Sequence, residues 1–362
     1  MALIIQNGEI VTSKERYVAD IRVEGEQIAQ IGQHVAVESG DTVINAGGKY
    51  IFPGGIDAHT HLDLPFMGTT AKDDFATGTI AAVAGGTTCI IDFVIPDKSV
   101  PMMDGFAQWM AKAEGKSVID YGFHLAVTWW DKSVQRELGL AYNAGMTSFK
   151  TFLAYKGAIG IEDSELYQIM GTAKELGGAM VTVHAENAEI VWQLQQKLLA
   201  EGKTQPIDHA HSRPPIVEAE GTHRAITMAA IHDAPVFIVH MSTADALEKV
   251  RDARFRGQHV YVETCPQYLL LDESLYRRPN WEGAKWVMSP PLREKYHQTA
   301  LWNGIRAGLV HTIATDHCPF DFHGQKDMGG TNNFAKIPNG IPGIGDRMQL
   351  MYTYGVTEGR ID

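Results

Sequence analysis

Cysteine is scarce. Only Cys89, Cys265 and Cys318 occur in 362 residues, and no two form a CxxC pair. That excludes a disulfide framework or a cysteine-bound zinc finger and fits a reducing compartment. Positive charge is also short: 31 Lys and Arg face 43 Asp and Glu, a formal net charge of −12. Nothing in that balance offsets phosphate repulsion, so a nucleic-acid partner is not expected. No apolar run approaches bilayer length, and "MALIIQNGEIVTSKER" lacks the charged n-region and cleavage site of a leader, so a membrane partner is not expected either. Low-complexity tracts and solenoid repeats are missing. What is present is a globular balance, 44% hydrophobic and 20% charged, in a chain long enough for one large domain and a smaller one. A cytoplasmic enzyme or binding protein is expected.

Residues 1–50 alternate apolar and polar, with Gly and Asn punctuation, in "LIIQNGEIVT", "ADIRVEGEQIAQIG" and "TVINAGGKYI". They predict a small β-sheet unit. From residue 51 the texture changes. Apolar, β-branched runs recur in "YIFPGGIDAHTHL", "TTCIIDFVI", "IDYGFHLAVT", "TSFKTFLAY", "AMVTVHAEN", "APVFIVHMS", "HVYVETCPQYLLL" and "HTIATDHCPF", eight in all. Helix-length stretches such as "DSELYQIMGTAKELGG" and "ADALEKVRDARFRG" separate most of them. Eight β–α units predict an α/β fold of the (β/α)8 barrel type over 51–362, with a doubly wound open sheet as the rival. The chain stops at "TYGVTEGRID", where the helix after the eighth strand is expected, so the C-terminal end reads as truncated.

A parallel barrel gathers its chemistry at the C-terminal ends of its strands. His59 and His61 end the first strand, and their i, i+2 spacing puts both rings on one face. Lys150 lies in the fourth strand, His184 ends the fifth, His240 the sixth and Asp316 the eighth. Five strands thus deliver ligand-type side chains to one rim. This is an oxygen and nitrogen set without thiolate, suited to zinc and also to manganese, cobalt or iron. Four histidines and an aspartate exceed the needs of one catalytic metal, so two divalent metals are expected. An ammonium at Lys150 would repel them. Carboxylation of a deprotonated lysine by carbon dioxide gives a carbamate whose two oxygens could bridge, making Lys150 an N6-carboxylysine. A second His-x-His, His209 and His211 in "PIDHAHSRPPIV", falls in a polar, Pro-rich stretch with no strand to aim it, and is read as a loop of no functional weight.

The motifs "GGIDAHTHLDLPF", "TSFKTFLAYKG", "VTVHAEN", "FIVHMST", "ETCPQYLLLDES", "VMSPPLRE", "TDHCPFDFHGQK" and "FAKIPNGIPGIGDRM" together resemble the hydantoinase/dihydropyrimidinase branch of the amidohydrolase superfamily. The resemblance runs over essentially the whole chain. It implies that His59, His61 and Asp316 bind one metal, that His184 and His240 bind the other, and that carboxylated Lys150 bridges them. It also implies a small β-sandwich built from both chain ends, of which residues 1–50 supply the N-terminal part, and a homotetramer or homodimer.

The activity implied is hydrolysis of the cyclic amide bond of dihydropyrimidines or 5-substituted hydantoins to N-carbamoyl amino acids, by a metal-bridging hydroxide, as in pyrimidine degradation. Asp316 would be the general base and then the acid toward the ring nitrogen. Tyr155 resembles the family's oxyanion-stabilising tyrosine. Ser289 and Asn339 match positions whose backbone groups hold the ring. Leu64, Phe66, Phe152 and Ile159 match the apolar pocket for the exocyclic substituent. Two other readings remain, of which only the first shares the metal site. One is an allantoinase or dihydroorotase, against which stand Tyr155, "VMSPPLR" and the absence of an arginine after the first histidine pair, where Leu62 and Asp63 sit. The other is a non-catalytic scaffold, against which all six metal positions are filled.

Overall fold

The alternation in "LIIQNGEIV" becomes a nine-residue strand, β1 (Leu3–Val11), in the computed structural model, which describes residues 1–362. It pairs antiparallel with β2 (Arg16–Glu24), which pairs in turn with β3 (Gln27–Gly32). On its other side β1 takes β4 (Thr42–Asn45) and β5 (Tyr50–Ile51) in parallel. Every second side chain points inward, so Ile10, Ala19 and Ile21 gather into one small apolar cluster. The chain divides into two compact units, Met1–Gly55 and Ile56–Asp362.

An eight-stranded, mostly parallel sheet organises the larger unit. Its strands are β6 (Gly55–Thr60), then, after the short ribbon of β7 (Pro65–Phe66) and β8 (Thr69–Thr70), β9 (Thr87–Val94), β10 (Asp120–Ala126), β11 (Ser148–Phe152), β12 (Met180–His184), β13 (Val236–Ile238), β14 (Val260–Thr264) and β15 (Thr312–Ile313). Neighbours in the sheet follow sequence order, with helices between most of them. Strands covered on both faces read as continuous apolar runs, and in β12 four of the five residues "MVTVH" are buried.

The barrel nearly closes, which excludes the doubly wound alternative. A parallel bridge joins Thr60 to His317, and the His61 N–H donates to the His317 carbonyl at 2.8 Å. Because β15 is only two residues long, side chains complete the seam. The Asp57 carboxylate accepts from Thr315 N–H at 3.1 Å and from its hydroxyl at 2.6 Å. Arg347 donates to the carbonyls of Ile56 at 2.7 Å and Ile313 at 2.9 Å.

Several expected strands are shorter than their apolar runs, with β13 and β15 keeping only three and two residues. "HVYVETCPQYLLL" gives β14 only to Thr264, then a helical turn, Pro266–Leu270. Pro266 sits at the first helical positions, where its fixed φ suits the turn and its missing N–H costs nothing. The stretch holding His209 and His211 is likewise a short helix, Pro206–His211, rather than a loop. After β15 the chain runs through a helix, Arg347–Leu350, into a wider turn, Met351–Thr357. No helix is long and apolar enough to cross a membrane.

Several rim residues turn through the left-handed backbone region without being glycine: Asp63 (φ 52°), Tyr155 (φ 60°), His240 (φ 39°) and Asp316 (φ 53°). Such conformations cost on the order of 1–3 kcal/mol each and persist only where surrounding contacts hold them. Three of these four residues are site candidates from the sequence.

Candidate active site

The first two candidates come from β6 and the residue after it. His59 is buried, and its Nδ1–H donates to Glu263 Oε1 of β14 at 2.6 Å. A ring fixed in that tautomer turns the lone pair of Nε2 toward Asp316, whose Oδ1 lies 3.1 Å away. His61 Nε2 meets the same oxygen at 3.1 Å. Burial holds His61 down to about 4, so its ring is neutral and its nitrogens are free to ligate. Burial is the largest single influence on His59 and lowers it, but the Glu263 and Asp316 carboxylates together outweigh it and raise the ring above its ordinary value. The ligand atoms of His59, His61 and Asp316 all lie within 4.8 Å of one another, a grouping that could hold a metal ion. Asp316 keeps 14% of its side chain exposed, against 1% for His59, so of the three it can best meet an incoming molecule.

His184 and His240 form the other side. The His184 Nε2–H donates to Glu186 Oε2 at 2.7 Å, and Arg213 grips the same oxygen at 2.6 Å. Burial is the largest single influence on Glu186 and would raise it, but the Arg213 guanidinium, His184 and Arg293 together override it and hold the carboxyl at about 2. With Nε2 engaged, His184 has Nδ1 left to ligate. The His240 backbone N–H donates to Glu263 Oε1 at 3.1 Å, so one carboxylate fixes both His59 and His240. The rings of His184 and His240 are 4.5 Å apart, and those of His240 and His59 5.3 Å.

Lys150 rises from β11 between these groups. It is fully buried, and its ammonium lies over the rings of Phe93 (4.9 Å) and Phe152 (5.2 Å). Burial lowers its pKa to about 8. Four buried nitrogens here have no hydrogen-bond partner: Lys150 Nζ, His59 Nε2, His61 Nδ1 and His240 Nδ1. Buried polar atoms are almost always paired. Orphans clustered on one imidazole and carboxylate set fit divalent cations.

A narrow cleft opens above this cluster, and every site candidate from the sequence lines it. Tyr155 leaves β11 on a pinched loop in which Ala158 and Gly160 N–H groups donate to its carbonyl at 3.0 and 3.2 Å. Gly160 has no room for a side chain, because a Cβ there would meet Ala154 O at 2.3 Å. Tyr155 shares the cleft with Ser289 and Asn339, and burial pushes its hydroxyl up to about 12, so it keeps its proton. Leu64, Phe66, Phe152 and Ile159 form an apolar wall, which Ile95 extends. Phe66 packs edge-on against Tyr155 with centroids 5.6 Å apart.

The sequence profile of the Amidohydrolase family matches residues 50–355. This chain belongs to the amidohydrolase family. Within it, the chain is 49% identical over 362 residues to a D-hydantoinase of Geobacillus stearothermophilus, covering 100% of this chain and 76% of that relative. A dihydropyrimidinase of Dictyostelium discoideum is 41% identical over 362 residues, with 99% and 71% covered. Among solved structures, the dihydropyrimidinase from Brevibacillus agri NCHU1002 superposes with a TM-score of 0.98 at 48% identity, covering 100% of this chain and 78% of that one. The L-hydantoinase from Arthrobacter aurescens gives 0.87 at 27% identity, with 99% and 78% covered.

What sequence reading missed in this amidohydrolase is the set of buried groups behind the ligands. Glu263, Glu186 and Arg213 carried one faint signal, a charge placed inside or beside an apolar strand. His209 is a correction. It is buried, and its Nε2–H donates to the Met288 carbonyl at 2.8 Å, next to Ser289. His209→Ala should therefore leave that carbonyl unpaired and destabilise the chain by about 1–3 kcal/mol, read by urea unfolding. An unchanged midpoint would restore the view of His209 as inert. His211, by contrast, stays at the helix end beside Asp208 and does not reach the cleft.

Proposed function

We propose that this amidohydrolase hydrolyses the cyclic amide bond of dihydropyrimidines or 5-substituted hydantoins to N-carbamoyl amino acids. The observation that carries the reading is a single cleft lined by Tyr155, Ser289 and Asn339 together with the histidine, aspartate and lysine cluster. The relatives named D-hydantoinase and dihydropyrimidinase support the same substrate class. His59, His61 and Asp316 would hold one divalent metal and His184 and His240 a second, most simply zinc, with N6-carboxylated Lys150 between them. Bound there, the metals supply Lewis acidity, making water more acidic and the amide carbonyl more electrophilic.

The chain's own groups do the rest. Asp316 accepts a proton from the attacking water as its oxygen bonds to the carbonyl carbon. It returns that proton to the ring nitrogen as the carbon–nitrogen bond breaks, so one carboxylate serves both halves of the reaction. The Tyr155 O–H donates to the carbonyl oxygen as negative charge develops on it. Backbone groups of Ser289 and Asn339 hold the ring's amide and carbonyl. Leu64, Phe66, Ile95, Phe152 and Ile159 shed water around the 5-substituent.

The same wall argues against dihydroorotate or another carboxylated ring. No arginine lines the cleft, and the nearby Arg213 is committed to Glu186. The test is a substrate panel on zinc-reconstituted chain. Dihydrouracil and a 5-alkylhydantoin should be opened, with about two metals bound per chain, and allantoin and dihydroorotate should not. Opening of allantoin alone would refute the assignment.

A further inference from the structure

Lys326 is fully enclosed, yet no carboxylate neutralises it. Its Nζ donates to three backbone carbonyls, Val287 at 2.6 Å, Pro338 at 2.8 Å and Gly340 at 2.7 Å. Three acceptors match the three protons of an ammonium. Burial lowers its pKa to about 7, so the site tolerates the cation at a cost that the three carbonyls offset. Such an arrangement is a costly way to fill a core, and apolar residues of similar volume would serve packing as well.

Its three acceptors flank the two peptides assigned to the substrate. Val287 lies two residues before Ser289, and Pro338 and Gly340 bracket Asn339. The Gly340 N–H also donates to the Val287 carbonyl at 3.0 Å, tying the two segments together. In a planar trans peptide the C=O and N–H point in opposite directions. Pinning the Pro338 carbonyl therefore turns the Asn339 N–H away from Lys326. Pinning the Gly340 N–H turns the Asn339 carbonyl away from Val287. His209 does the same for Ser289, because holding the Met288 carbonyl reverses the Ser289 N–H. Neither Ser289 nor Asn339 makes a backbone hydrogen bond within the chain, and both line the cleft. Gly340 closes the arrangement from below, since a Cβ there would meet Cys318 O at 2.2 Å.

We infer that Lys326 is a positioning residue, whose ammonium clamps the segments 287–289 and 338–340 so that the backbone groups of Ser289 and Asn339 are presented to the ring. This rests on the substrate reading proposed above. Lys326→Met keeps the volume and removes the donors. KM for dihydrouracil or a 5-alkylhydantoin should then rise about tenfold to a hundredfold, while kcat stays within about threefold and zinc content is unchanged. Lys326→Gln, with two N–H donors, should give an intermediate KM. Amide exchange in 287–290 and 338–341 should accelerate in Lys326→Met while the rest of the barrel keeps its protection. A folded Lys326→Met with unchanged KM, or with unchanged exchange in those segments, would overturn the proposal. So would failure of both variants to fold, which would assign Lys326 to the barrel's stability instead. If the unaltered chain opens no ring, the substrate reading fails, and the exchange measurement still decides the clamp.

Discussion

Asp316→Asn should lower kcat by about a thousandfold or more, the range expected for loss of a proton acceptor that acts on both sides of a reaction. The substitution isolates the chemistry unusually well. Asp316 sits at φ 53°, a backbone conformation that asparagine adopts more readily than almost any other residue with a side chain. The neighbouring seam is held by Asp57 on Thr315 and by the His61 N–H on the His317 carbonyl, neither of which involves the Asp316 side chain. The fold should therefore survive, and unfolding curves should coincide closely with the parent's. The amide keeps an oxygen that can face His59 and His61, so metal content should fall less than turnover does. What it loses is the capacity to take a proton from water and give it to nitrogen. Turnover within tenfold of the parent, with metal retained, would remove Asp316 from proton transfer. Loss of metal in step with activity would leave it a ligand and nothing more.

Much of this was legible in the sequence because parallel barrel strands are buried on both faces and announce themselves as apolar runs. Ligand-type residues at the ends of those runs then share a rim by construction, which is why His59, His61, His184, His240 and Asp316 could be assembled without coordinates. The extent of each strand was less legible. In "VYVETCPQYLLL" the apolar letters continue through a strand and a helical turn alike, and only Pro266 marks the change. The supporting groups were hidden for a different reason. His59 and Glu263 are 204 residues apart, Asp57 and Thr315 258 apart, and His209 and Met288 79 apart. A lone histidine or glutamate carries no mark of a partner that distant. His209 was misjudged on its polar neighbourhood, although its helix turns it inward while His211, two residues on, remains half exposed. Lys326 was hidden further still, since its partners are backbone carbonyls, which every residue possesses.

Lys150→Ala should cost the chain its metals and reduce turnover to background. The argument begins with a group that is wrong for its place as it stands. A buried ammonium without a hydrogen-bond partner, set among four histidines, neither satisfies its own donors nor attracts cations. With its pKa lowered to about 8 by burial, a useful fraction of the amine is unprotonated near neutrality. That nitrogen can bond to the carbon of carbon dioxide, releasing one proton and leaving a carbamate. The side chain then changes from cation to anion and gains two oxygens, the donor type the cluster otherwise draws only from Asp316. A carbamate and divalent metals would stabilise each other, so removing the lysine should remove both. Because alanine vacates the length of the lysine side chain, formate, acetate or propionate should fit the space and restore part of the metal content and activity. Labelled carbon dioxide supplies a readout independent of turnover: a carbamate carbon signal should appear in the parent chain and be missing from Lys150→Ala. A variant that keeps its metals and full activity would sink the carbamate bridge, and with it the placement of a second metal at His184 and His240.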